Sequence, residues 1–200
     1  MDLHSARVRI RYWQHRDDIE ADAWPPYNDP LEPIWNLPRM SGGWGGFDFS
    51  PMRRAWAVDT IDRQLAGRIS LREIDQRRSS ARLGVTFGAP FVGRGLGTEA
   101  MALFLDYYFS ELGFQLMVLD VAAPNVRAVR CYERLGFSHV GTDWRTAGQS
   151  FNTRLLESPL YEPVRKYFRQ GPRYVDVQFF EMELPRQEWL QRSPQLHQQM

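Results

Sequence analysis

The sequence predicts an α+β fold, a single domain of antiparallel strands followed by a β-α-β-α-β run around one mixed sheet. Three observations carry this reading. Residues 54–87 hold three strand-like segments separated by short polar turns, the pattern of antiparallel pairing. Residues 83–142 then alternate strand-like and helix-like periodicities, which implies crossover connections. Finally, 200 residues with 43% apolar and 24% charged side chains suit one globular core.

Val8 to Trp13 alternates apolar residues with arginine and reads as the first strand. His15 to Trp35 is polar and then interrupted by Pro25, Pro26, Pro30 and Pro33, which limits it to one or two short helices. Ser41 to Gly46 is a flexible glycine loop presenting Trp44. Arg54 to Ile61 and Leu65 to Ile74 flank Asp62-Arg63-Gln64 as a hairpin. Without a bulge, Leu65, Gly67, Ile69, Leu71 and Glu73 share one face of the second strand. Leu83 to Phe87 is the next strand and runs into the glycine-rich stretch Gly88 to Gly97.

From Thr98 to Leu112 the residues Met101, Phe104, Leu105, Tyr108 and Leu112 recur at three- and four-residue steps, an amphipathic helix that Gly113 ends. Leu116 to Val121 is apolar almost throughout, as expected of a central strand buried on both faces. Asn125 caps a second helix with the stripe Ala128, Val129, Tyr132 and Leu135, closed by Gly136. Phe137 to Thr142 forms a short strand. The polar insert over 147–171 holds a short helix around Pro163 to Arg169, and Tyr174 to Leu184 is the closing strand. The domain spans 1–186; the Gln-rich end, Gln187 to Met200, reads as a polar tail that frays.

The net charge of +1 and a pI of 7.9 give no electrostatic basis for binding nucleic acid or a membrane surface. Lys166 is the only lysine among 25 basic residues, so the positive surface is made of arginine. The single cysteine, Cys131, rules out an intrachain disulfide and a multi-cysteine zinc site. His4, His15, His139 and His197 lack metal-ligand spacing, and no metal is expected. The chain start has no signal-like apolar region and no run approaches the roughly 18 apolar residues of a membrane span, so a soluble cytoplasmic protein is expected.

The chemistry concentrates at Val92-Gly93-Arg94-Gly95-Leu96-Gly97-Thr98-Glu99-Ala100, between a strand and a helix. Glycines let a backbone approach a ligand closely, and the free N–H groups of a helix start favour phosphate. A Walker loop is excluded because no Lys followed by Ser or Thr ends the stretch. Gly95-x-Gly97-x-x-Ala100 does obey a dinucleotide fingerprint, with Asp120 placed as the ribose acid of a nicotinamide-dependent oxidoreductase. The loop alone leaves that reading open.

The loop also resembles the pyrophosphate loop of the GNAT N-acetyltransferases, with Gly95 and Gly97 at the glycine positions and Val92 where that family usually has Gln or Arg. Gly93 to Ala100 looks like the branch that acetylates ribosomal-protein N-termini and small amines. Further on, Asn125-Val126-Arg127-Ala128-Val129-Arg130-Cys131-Tyr132-Glu133-Arg134-Leu135-Gly136-Phe137 is similar to the family's second signature, Asn-x-x-Ala/Ser-x-x-x-Tyr-x-x-x-Gly-Phe. Together the motifs and hairpin cover about residues 50–142. A dinucleotide fold would give no reason for the second motif and would need more parallel strands than the chain can hold.

The resemblance implies a central pair of splayed strands and direct acetyl transfer from acetyl-CoA to an amine, a small molecule or a protein N-terminus, in a ternary complex. Val85, Thr86 and Phe87 would bind pantetheine and polarise the acetyl carbonyl. Val92, Gly93, Arg94, Gly95, Leu96, Gly97 and Thr98 would hold pyrophosphate, and Asn125 would bind cofactor or water unless it serves only as a cap. Tyr132 becomes the candidate general acid. The strand position at which many relatives carry a Glu falls on Ala81-Arg82-Leu83-Gly84, which has no carboxylate. Glu73, beside apolar neighbours, is the candidate base, with Asp75 behind it. Absence of a base is tolerable for an α-amine, whose pKa of about 7.7–8.0 leaves it partly neutral near pH 7, against about 10.4 for a lysine.

The remaining residues are expected to be structural. Glu99 compensates the helix dipole or lies on the substrate side, and Cys131 is a packed thiol without a histidine partner. Trp24, Trp35 and Trp44 lie in the segment that, by the resemblance, covers the acceptor; they line it or pack it. The 147–171 insert serves as a substrate lid or a homodimer contact. A non-catalytic acyl-CoA-binding domain is the rival from another class, supported by the missing strand carboxylate.

Overall fold

The computed structural model describes residues 1–38, 54–148, 151–171 and 174–199. Nine strands among these residues form one sheet: β1 (Asp2–His4), β2 (Val8–Tyr12), β3 (Arg54–Thr60), β4 (Leu65–Asp75), β5 (Ser80–Phe87), β6 (Leu116–Ala122), β7 (Ser138–Ala147), β8 (Phe168–Gln170) and β9 (Val175–Pro185). The order is β1-β2-β3-β4-β5-β6-β9-β7, with β8 also on β9. Pairing is antiparallel except at β5–β6, the parallel pair implied by the crossover helix between them. The predicted mixed sheet and hairpin are present.

Four α-helices among the described residues accompany the sheet: α1 (His15–Asp22), α2 (Leu96–Ser110), α3 (Val126–Leu135) and α4 (Arg186–Gln199). The strands alternate sides, and one side closes on α2. Val8, Ile10, Trp56, Val58, Ile69, Leu71, Leu83, Met117 and Leu119 join Met101, Phe104, Leu105 and Tyr108 in the main core. Tyr108 is fully buried and satisfies its hydroxyl on the Leu116 carbonyl at 2.8 Å. The opposite side carries Arg11, Asp59, Arg68, Ser70, Arg72, Arg82 and Asp120. There α1 is tied down by Arg11, which reaches Asp17 at 2.7 Å and Asp59 at 2.7 Å.

Several elements differ from their sequence expectation. The strand after Phe137 runs to Ala147 because β9 supplies a long antiparallel partner. The insert forms 3-10 turns over Thr153–Glu157 and Pro159–Tyr167, starting before the expected helix, and then β8. β8 continues the edge of β9 where β6 stops, since β6 ends at Ala122 opposite Phe179 and β8 begins opposite Val177. β6 is central, as expected, but only one of its faces is fully buried; Val118 and Asp120 on the other are half-buried. The Gln-rich end is α4 rather than a frayed tail: Trp189 is fully buried and donates to Asp106 at 2.9 Å. The Ser41–Gly46 loop with Trp44 lies outside the described residues.

Candidate active site

The parallel pairing of β5 and β6 is short. Partners run from Ser80–Leu116 to Arg82–Val118 and stop, while β5 continues to Phe87 against β4 alone. Beyond Arg82 the two strands part, leaving one edge of β5 open. The Gly88 amide donates to Ala66 at 2.9 Å, so by antiparallel alternation Arg68–Thr86 and Ser70–Gly84 are the hydrogen-bonded pairs. The amides of Val85 and Phe87 therefore point into the gap, and that of Thr86 is turned toward β4. Of the three expected donors, the ladder leaves Val85 and Phe87. The Phe87 carbonyl on the same edge accepts a hydrogen bond from the Tyr27 hydroxyl.

The glycine loop closes one end of this gap. Gly93 (φ 76°) and Gly95 (φ 79°) are left-handed, which a side chain disfavours, and Gly95 is the residue that starts α2. The first intrahelical bond runs from the Glu99 amide to the Gly95 carbonyl, so the amides of Leu96, Gly97 and Thr98 precede the ladder. Val92 packs partly buried against the core instead of presenting a polar group to the loop. Arg7 supplies the cation: its guanidinium donates to the Arg94 carbonyl at 3.0 Å and to Glu99 at 2.6 Å. Burial works to raise the Glu99 carboxyl, but hydrogen bonds from Ser5 and Arg7 prevail and hold it below its ordinary value. Glu99 is thus a structural clamp on the loop. Nothing in the sequence signals Arg7 and Ser5, because they act from a strand turn far away in the chain.

Tyr132 lies on α3, which is joined to the loop helix where the Cys131 thiol meets the Thr98 hydroxyl at 3.3 Å. Burial raises the Cys131 thiol above its usual range, as befits a packed thiol. The Tyr132 ring stands edge-on to Phe137 at 5.7 Å, and burial, reinforced by Cys131 and Asp120, raises its hydroxyl well above the ordinary phenol. At neutral pH it is protonated and can donate. Asn125 uses its side-chain carbonyl to cap α3, accepting from the Ala128 amide at 3.2 Å.

The expectation for Glu73 fails on geometry. The β4–β5 register shifts between Arg72 and Asp75, and Glu73 adopts φ 46°. This bulge takes Glu73 off the Leu71 face, leaves it 57% exposed, and commits it to Arg82 at 2.8 Å. Asp75 accepts from the Arg77 and Arg78 amides and forms a turn. Arg82 also meets Asp120 at 2.7 Å, and Arg145 meets Asp120 from the other side at 2.6 Å. Burial alone would raise the Asp120 carboxyl, but Arg145 and Arg82 hold it low. A carboxylate so engaged is not available to a ribose, and an antiparallel-dominated sheet is not a doubly wound one, so the oxidoreductase reading falls.

Above the gap, Trp24 donates to the Leu65 carbonyl at 3.1 Å, and Trp35 meets Tyr27 edge-on at 5.2 Å, with Arg127 over both rings. The segment before residue 38 therefore covers the open edge of β5 with aromatic side chains. A cavity of about 490 Å³ lies in the insert, lined by Thr153, Leu156, Glu157, Arg165 and Phe168, and shares no residue with the glycine loop. No group of three potential metal-binding side chains occurs among the described residues, and no helix there is long and apolar enough to cross a membrane.

The site residues fit the cofactor that the resemblance implies: outward amides on β5 suit a pantetheine arm, and the left-handed loop before α2 suits a pyrophosphate. Comparison with known proteins agrees. Residues 5–138 match the family model described as the acetyltransferase (GNAT) domain. Over 84 residues the chain is 34% identical to spermidine N(1)-acetyltransferase of Escherichia coli (strain K12), covering 42% of this chain and 45% of that protein. It is 35% identical over 51 residues to a kanamycin resistance protein of Rhizobium radiobacter, 26% of this chain and 47% of that one. The chain thus spans about half the length of the curated relatives it matches. The crystal structure of spermidine N-acetyltransferase from Vibrio cholerae in complex with CoA and spermine superposes with a TM-score of 0.61 at 20% identity, covering 93% of this chain and 99% of that one.

Proposed function

The chain belongs to the GNAT acetyltransferase family, and on that premise we propose that it is an enzyme transferring an acetyl group from acetyl-CoA to a primary amine, with both bound at once. The observation that carries this is the parting of β5 from β6 immediately beside the amino end of α2. Bound acetyl-CoA supplies an activated thioester. The Val85 and Phe87 amides hold the pantetheine arm and the acetyl oxygen, while the Leu96, Gly97 and Thr98 amides take the pyrophosphate, with Arg94 and Arg7 adding positive charge. Tyr132 gives its proton to the sulfur as the amine nitrogen bonds to the carbonyl carbon and the carbon–sulfur bond breaks, and the proton that the nitrogen then sheds passes through solvent to restore the Tyr132 hydroxyl. With Glu73 committed to Arg82, the amine must arrive neutral, which favours weakly basic acceptors. A cytoplasmic location belongs to the same proposal.

Thermal unfolding with acetyl-CoA and, separately, NADH tests this. Ligand at 100 times its dissociation constant stabilises the native state by about 2.7 kcal/mol, so the midpoint should rise with acetyl-CoA and stay fixed with NADH. A flat response to acetyl-CoA would sink the proposal. The commitment of Glu73 to Arg82 and of Asp75 to a turn favours one other reading, an acyl-CoA-binding domain without turnover. Thiol release in the presence of amines separates the two.

A further inference from the structure

The acceptor side of the sheet has a charge that bears on which amine can bind. Next to the open edge of β5 lies a cavity of about 230 Å³ lined by Arg68, Ser70, Arg72, Gly84 and Thr86, with Arg54 and Asn36 also on its wall. That volume suits a small molecule. Among the described residues that line it there is no carboxylate. The nearby acids are already engaged, Glu73 by Arg82 and Asp120 by Arg82 and Arg145.

Arg68 and Arg72 make no ion pair among the described residues, and the Nε of each is buried without a hydrogen-bond partner. Both side chains line the cavity with no carboxylate paired to them among the described residues, so an anion entering it meets two uncompensated guanidinium charges. The Arg68 guanidinium is already oriented, stacked 4.7 Å from the centre of the Trp13 ring. Gly84 keeps the floor open: a Cβ there would come within 2.6 Å of the Ser70 hydroxyl and 3.6 Å of Arg72 Nε.

We propose that the acceptor amine carries an anionic group, carboxylate or phosphate, that seats on Arg68 and Arg72 while its nitrogen faces the open edge of β5. A planar guanidinium matches both anions with paired donors. The same charges repel the distal ammonium of a polyamine, the class named in the matching spermidine N(1)-acetyltransferases. The inference rests on the acetyltransferase reading above and narrows its substrate.

Four primary amines of similar length test it: 4-aminobutanoate, 3-aminopropyl phosphate, 4-aminobutan-1-ol and 1,4-diaminobutane. Calorimetric binding to the CoA-saturated protein and initial rates of thiol release are measured at about pH 9, where a useful fraction of each amine is neutral. One or both anionic amines should exceed the diamine by about tenfold or more in affinity and kcat/KM, and comparison of the two identifies the anion. Arg72→Gln should remove that preference, Arg72→Lys should restore part of it, and both variants should keep the acetyl-CoA thermal shift. Equal or better binding of the diamine, or no binding of either anionic amine, overturns the inference while leaving acetyl transfer standing. Loss of the acetyl-CoA shift in the unaltered protein removes the parent reading and this one with it.

Discussion

Tyr132 is where the proposed chemistry is most exposed to test. Its hydroxyl is held protonated by burial, so Tyr132→Phe should lower kcat by about 10²- to 10⁴-fold while the acetyl-CoA thermal shift persists. For the same reason turnover should not fall between about pH 8 and 10 through loss of the enzyme's acid; the rate should rise there as the acceptor amine loses its proton. A decline over that range in a pH–rate profile would exclude Tyr132 as the donor. Asp120 gives a stability counterpart. It sits between Arg82 and Arg145, whose side chains are 12% and 3% exposed, and Asp120→Asn would leave both cations underpaired. Breaking a buried pair from one side costs about 3–5 kcal/mol, to be read from urea unfolding. The place of Tyr132 on a helix capped by Asn125 was legible in the sequence. The role of Asp120 was not, because Arg145 comes from a strand that pairs elsewhere in the sheet.

Among the elements, the glycine loop and α4 mark the two extremes of legibility. The loop announced itself through Gly93, Gly95 and Gly97, because left-handed backbone and close approach restrict the residue type directly. Gly95→Val forces a β-branched side chain into φ 79° and into the Arg7 guanidinium, 3.3 Å from the added Cβ. KM for acetyl-CoA should rise by about tenfold or more with a smaller change in kcat, since the proposed pyrophosphate site is remote from the reacting thioester. α4 reads as polar because glutamine dominates it, yet buried Trp189 and Leu196 dock it on the core, and Arg192 and His197 tie it to the Arg134 carbonyl and to Asp106. Trp189→Ala should cost about 3–5 kcal/mol in denaturant unfolding. The Glu73 expectation failed at this scale too: a bulge turns a strand residue off its face, and one bulge is invisible to a period-two pattern.

For the whole molecule, acid is the condition that should reveal its electrostatic ties. Asp17, Glu99 and Asp120 are carboxyls held below their ordinary values of 3.8, 4.5 and 3.8 by arginine and hydrogen-bond partners. Groups depressed in the folded state contribute stability that is fully present above those ordinary values and lost as pH falls beneath them. The unfolding midpoint should therefore be nearly flat above about pH 5 and drop below about pH 4, less steeply in Asp120→Asn. Those three carboxyls tie α1 to the sheet, the β1–β2 turn to the glycine loop, and β5 to β6 and β7.

Fold class, the order of the central elements and the two motifs are legible in the chain alone, because periodicity, capping and glycine conformation are local properties that residue type constrains directly. The rest depends on how the chain folds back on itself. That β5 and β6 part after Arg82, that Arg7 serves the loop in place of a residue at Val92, and that Arg68 and Arg72 face a cavity without a carboxylate are all consequences of strand register. Register brings residues together across long chain separations, and no short-range pattern records which of many similar arginines will find a carboxylate and which will be left to meet a ligand.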